Sequence, residues 1–381
     1  MGASGSDMMR GDVARSARAG PVEAPGAGSL PPTLARGAIP SLDGIRAVSV
    51  AIVFFAHAGL SDAIAGGFGV TIFFFLSGFL ITTLFLREWR DTDSIHIGKF
   101  YVRRFLRLSP PLFFTLGVGY LLVWLGFADG KFEPLAILSQ LLYFHNYYLA
   151  AFPDAGSVVV GLQPLWSLSV EEHFYLIFPL IFLLFTRGKV RVSHIVALLV
   201  AIVAWRYFRW QVLLDTQWTI YISTDTRFDS ILYGCLLALM ERNGAAARVM
   251  PPDNRRLTLL VFGALAVLAL SILARDMTFR STLRYTVQGI ALMVVFHYAV
   301  TRPDYWLFRP LNLGWVRTIG LYSYSIYLAH YVIIRILHKH DWFEGNAALF
   351  IAAAAVISIA YAAFVWHVIE PLPRRLRHRF A

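Results

Sequence analysis

The chain has 381 residues, 57% hydrophobic and 15% charged, with 30 Phe and a single cysteine. Soluble domains carry about 25% charged residues, and several stretches here exceed the ~17 apolar residues that cross a bilayer as a helix; composition therefore excludes a soluble globular domain. The net charge of +11 does not signal nucleic-acid binding, because the basic residues fall in short clusters between apolar segments, and a lone Cys235 permits no intrachain disulfide and reads as packing.

Residues 1–40 are rich in Gly, Ala, Pro and Ser without apolar periodicity and read as a disordered cytoplasmic tail. No apolar core of a signal peptide lies in the first 30 residues, so the first apolar helix is expected to stay as an anchor. Residues 41–381 then form one integral membrane domain. Ten stretches are long enough to span: 43–60, 68–86, 108–127, 165–186, 192–208, 226–241, 257–274, 283–300, 315–337 and 347–369. An eleventh, "LAILSQLLYFHNYYLA" (135–150), is shorter and holds Gln140, His145 and Asn146.

Lys and Arg concentrate on cytoplasmic loops. With the N-terminus inside and 135–150 left uncrossed, 25 of the 34 Lys and Arg fall on the cytoplasmic side. Letting 135–150 cross would send every later basic cluster outside, including "PRRLRHRF" at the C-terminus. The expected fold is an all-α polytopic membrane protein of about ten transmembrane helices plus a short interfacial or re-entrant helix, with both termini cytoplasmic.

Ionisable residues inside such spans are costly and point to function by default. In "DGIRAVSVAIVFFAHAG" (43–59), Asp43 and Arg46 sit at the cytoplasmic mouth and His57 lies deeper. Eleven helical residues advance about 16 Å and make three turns plus about 20°, so Arg46 and His57 share a face. A snorkelling Arg and a packed His would also fit. In "FYVRRFLRLSPP" (100–111), Arg104 and Arg107 share a face. They are either topology signals or a fork of donors for phosphate. "LWSLSVEEHFYLIFP" (165–179) carries Glu171 and Glu172, about 100° apart, so one at most faces a given cavity. "STDTRFDSILYG" brings Arg227 and Asp229 into a span, as a site or as structural glue. "SYSIYLAHYVI" offers Tyr327 and His330, as a polar stripe or as packing. The sequence shows no HExxH or CxxC pattern, Walker loop, GxSxG elbow or internal repeat, and no metal or permanently bound cofactor is expected.

These segments, from about Ser41 to Pro371, resemble the acyltransferase type 3 family of integral membrane O-acyltransferases. "SLDGIRAVSVAIVFFAH" resembles the family's first helix, with its Arg and His at Arg46 and His57. "GGFGVTIFFFLSGFLIT" resembles the second, and Arg104 with Arg107 fits the Arg-x-x-Arg element. "LWSLSVEEHFYLIFP" matches the acidic helix, and "SYSIYLAHYVI" with "IEPLPRR" the closing segments. The resemblance implies a bacterial inner-membrane enzyme without an appended hydrolase domain. Its donor substrate would be an acyl-CoA such as acetyl-CoA, and its acceptor a hydroxyl on an envelope glycan, a lipid-linked precursor or a small secreted product. Besides these substrates the implied partners are membrane lipids, with the oligomeric state open. His57 would be the general base, Glu171 its orienting acid with Glu172 beside it, and Arg46, Arg104 and Arg107 the donor's anion contacts. Acyl-histidine formation is the less favoured variant. From another class, a proton-coupled transporter of a lipid or glycan would use the same buried charges.

Overall fold

Pro40 opens the first long helix, where its fixed φ suits the first turn and its missing N–H costs nothing. The structure, a computed structural model, describes residues 39–153, 159–343 and 345–380. The expected tail, 1–40, lies outside the described residues but for its last two. Among the described residues there are ten helices of sixteen residues or more. They are α1 (Pro40–Phe55), α2 (Gly66–Thr92), α3 (Ile97–Trp124), α4 (Trp166–Thr186), α5 (Val192–Gln211), α6 (Thr224–Arg242), α7 (Asn254–Leu273), α8 (Arg284–Thr301), α9 (Gly314–Lys339) and α10 (Ala347–Phe364). No strand occurs among them.

Seven of these, α1 to α5, α7 and α10, are long and apolar enough to cross a membrane. The other three, α6, α8 and α9, carry polar residues that place them inside the bundle, among them Asp229, Gln288 and His330. The apolar window of α2 is 78% buried within the protein, against 22% for α5 and 28% for α7. So α2 is the central post, and α5 and α7 present apolar faces outward, with Val200 and Leu270 exposed. Outward apolar side chains are the arrangement that lipid favours.

Glycines set how closely the inner helices meet. A Cβ on Gly78 would stand 1.9 Å from Ile231 O, and one on Gly234 2.0 Å from Phe75 O, so α2 and α6 cross backbone to backbone. Gly320 plays the same part for α1 and α9, its absent Cβ leaving room for Asp43 O at 1.9 Å. That contact brings α9 alongside α1.

Two expectations change. Helix α3 begins at Ile97 rather than near 108, because the basic cluster that reads as a loop continues the helix past its apolar part. The single helix expected over 135–150 is two, Pro134–Leu141 and His145–Ala151, broken where Tyr143 takes φ 58°. Their polar side chains find partners that let them be buried: His145 Nδ1 lies 2.9 Å from Ser139 Oγ, and Asn146 Nδ2 donates to Thr224 Oγ1 at 2.9 Å. Val160 N donates to Asp129 O at 2.9 Å, so this stretch leaves the bundle at the end where it entered.

Candidate active site

Two cavities lie along α1, one near each end. The first, of about 350 Å³, is lined by Asp43, Arg46, Arg104, Arg107, Glu171 and Tyr175 among others. Its charges are largely answered from within. Arg46 Nη1 holds Asp43 Oδ1 at 2.6 Å. Arg104 holds Glu172 Oε1 at 3.1 Å and Glu171 Oε2 at 3.7 Å while stacking over the Tyr175 ring. Tyr175 in turn donates to Glu171 Oε2 at 3.3 Å. Arg107 differs: it is exposed at the mouth and has no carboxylate within ion-pair distance among the described residues. A guanidinium left with its donors open is a hook for an anion.

The second cavity, of about 680 Å³, is lined by His57, Trp166, Trp218, Tyr221, Arg284 and Tyr331 among others. His57 belongs to a π-helical turn, Ala56–Leu60, that α1 runs into and that Gly59 ends at φ 103°; such turns gather at functional positions. The ring stacks on Tyr331 at 4.4 Å, and its Nδ1 lies 2.8 Å from His330 Nε2.

The hydrogen bonds of His330 settle the tautomers. Its Nδ1 lies 3.1 Å from Ile326 O and 2.8 Å from Tyr327 O, and carbonyls only accept. That nitrogen therefore carries the hydrogen. His330 is fully buried, and no carboxylate pairs with either ring among the described residues; an uncompensated buried charge is expensive, so both rings are neutral. His330 Nε2 is then an acceptor, His57 Nδ1 the donor to it, and His57 Nε2 keeps a bare lone pair.

The cavities share Val70 and Tyr327. Tyr327 donates to Pro164 O at 3.0 Å, and its oxygen lies 2.7 Å from Ser167 Oγ. Arg46 and His57 line different cavities.

The sequence-based reading paired Glu171 with His57. The structure gives His57 to His330 and Glu171 to Arg104 and Tyr175, because α4 presents Glu171 to the first cavity. Arg227 and Asp229 do not pair with each other. Asp229 Oδ2 accepts from Arg206 Nη1 at 2.6 Å with both groups fully buried, and Arg227 donates to Thr71 Oγ1 at 3.0 Å beneath the Tyr285 ring. Sequence reasoning missed Arg206. The sign was an Arg inside the apolar stretch 192–208, equal in cost to the acid it neutralises. The pair formed by Glu241 Oε1 and His297 Nδ1, at 2.5 Å, was missed for the same reason. No cluster of three or more His, Cys, Asp or Glu suited to a metal occurs among the described residues.

The family model for the acyltransferase domain matches residues 39–367. The chain belongs to the acyltransferase type 3 family. The chain is 28% identical over 318 residues to the peptidoglycan O-acetyltransferase OatA of Listeria monocytogenes, covering 78% of this chain and 49% of that protein. It is 30% identical over 353 residues to YrhL of Bacillus subtilis, to which peptidoglycan O-acetyltransferase activity is ascribed, covering 87% and 54%. The chain spans about half the length of the curated relatives it matches. No solved structure matches it significantly.

Proposed function

We propose that this acyltransferase moves an acetyl group from acetyl-CoA, taken up in the Arg104–Arg107 cavity, to a hydroxyl of a cell-wall glycan taken up in the His57 cavity. One observation carries the reading: Arg107, an anion hook, and His57, with its bare imidazole nitrogen, line two cavities that have Val70 and Tyr327 in common. The names of the relatives supply the acetyl group and the glycan. CoA is anionic at one end and thin along its pantetheine arm, so Arg107 suits its phosphates and the arm can extend toward the wall at Tyr327 that the two cavities share.

The step balances without further reagents. His57 Nε2 takes the proton of the acceptor hydroxyl, and that oxygen forms the C–O bond to the acyl carbon. The C–S bond breaks, and the CoA thiolate receives the proton back from His57. His330 is a positioning residue, holding the tautomer that leaves His57 Nε2 free.

The reading includes ten spans in a bacterial inner membrane with both termini cytoplasmic. It is supported by Arg103 Nη1 donating to Phe380 O at 2.8 Å, which brings the C-terminal segment to the basic start of α3, and by the charge bias of the loops. The test is purified protein in lipid nanodiscs with radiolabelled acetyl-CoA and cell-wall glycan. Label in ester linkage on the glycan is expected. Label that stays on CoA while the protein moves protons with a lipid or glycan across vesicles would establish transport instead.

A further inference from the structure

Several cations at the His57 end of the bundle are answered by acids. Arg206 has Asp229, Arg209 has Asp215 and Asp225, and Lys339 holds Asp129 at 2.8 Å. Arg280 and Arg284 line the second cavity and have no such partner among the described residues. Arg284 Nη2 donates to Tyr285 Oη at 3.2 Å, and Arg280 reaches only Met277 Sδ, a weak acceptor, at 3.9 Å. Asp276, the nearest acid along the chain, is occupied in accepting from Phe279 N at 2.6 Å. Among the described residues lining this cavity there is no Asp or Glu at all, whereas the first cavity contains Asp43 and Glu171 beside its arginines. Both guanidiniums are half-buried and share the cavity with the His57 ring.

Two unpaired cations in a cleft with low-dielectric walls concentrate negative charge there, and an unpaired guanidinium offers a planar fork to an oxyanion. The remaining lining suits a sugar ring: flat aromatic faces from Trp166, Trp218 and Tyr221, and amides from Gln217 and Gln288. We propose that the acceptor is anionic, a hydroxylated glycan bearing an oxyanion that Arg280 and Arg284 clasp while its hydroxyl rests at His57. The inference rests on the acyl-transfer reading and adds the charge of the acceptor. The oxyanion is either a carboxylate on the glycan or the diphosphate of a lipid-linked sugar.

The experiment has a binding arm and a transfer arm, on the intact protein in nanodiscs of neutral lipid. The probes are a uronic-acid oligosaccharide, the same oligosaccharide with its carboxyls reduced to alcohols, and a polyprenyl-diphosphate-linked neutral disaccharide. Without acyl donor nothing turns over, and calorimetry should show at least one charged probe binding about tenfold or more tighter than the reduced one, a preference that fades with salt. Which charged probe binds names the source of the oxyanion. In R280Q/R284Q the preference should vanish while acetyl-CoA affinity and melting temperature hold; R284K should fall between, keeping the charge but losing the fork. In the transfer arm the same change should appear in acceptor KM more strongly than in kcat. Equal affinity for charged and reduced probes in the parental protein, or a preference that survives R280Q/R284Q, overturns the inference. Binding as expected with no ester formed on any probe keeps it and overturns the acyl-transfer reading alone.

Discussion

The two cavities that share Tyr327 in their walls handle charge differently. On the Arg104 side, each acid is paired with a base within the protein, Asp43 with Arg46 and Glu171 and Glu172 with Arg104, while Arg107 is left open. On the His57 side the ring pair is neutral, and Arg280 and Arg284 stand without acids. A charge inside a membrane protein is therefore informative through its partner more than through its presence. Paired charges hold helices in place, and unpaired ones wait for a ligand.

The sharpest way to break this contrast is at His57. In His57→Ala the acetyl-transfer rate should fall by about 10²–10⁴, with acetyl-CoA affinity unchanged in a calorimetric titration, since the lost group acts on the acceptor's proton. A folded variant that transfers at the parental rate would falsify the general-base assignment.

A structural charge should behave otherwise. Asp229→Ala leaves Arg206 buried and unpaired, at a cost of about 3–5 kcal/mol. A large drop in melting temperature is expected, partly restored in the double variant D229A/R206M, with transfer per folded molecule little altered. If the single variant melts like the parent, the pair is not what joins α5 to α6.

His330→Ala should lower kcat by about ten- to hundredfold at constant acceptor KM, because His57 is freed to place its hydrogen on either nitrogen. His330→Gln, whose amide oxygen can accept from His57 Nδ1, should recover part of the loss. A purely packing role for His330 would show in the melting curve of both variants and not in kcat.

The smallest effect is expected at Arg107. Arg107→Ala should raise the KM for acetyl-CoA severalfold with the fold intact, whereas Arg104→Ala should destabilise the protein first, since it strands Glu171 and Glu172. Equal effects of the two variants on stability would mean that the first cavity has no free anion hook.

Hydropathy and charge bias made the helical architecture legible in the sequence, since a bilayer imposes length and apolarity on each span separately. The segments around Arg46, His57, Arg104 and Glu171 were legible too, because a polar residue in an apolar run declares itself by its cost. The eleven-residue spacing counts α-helical turns throughout, and it did not foresee that His57 lies past the end of α1 in a π-helical turn. Partnership was not legible. His57 finds His330 across 273 positions of chain, and it does so because Gly320 lets α9 lie against α1 at Asp43. Glu171 was assigned to His57 on chemistry that is sound and geometry that is not, for α4 turns it toward Arg104. Arg206, inside the apolar stretch 192–208, had no partner to be read from the sequence; α5 packs beside α6 and buries it against Asp229. Local periodicity fixes which face a side chain leaves from; which helix meets that face is decided by backbone crossings at a few glycines, and these are properties of the packed bundle.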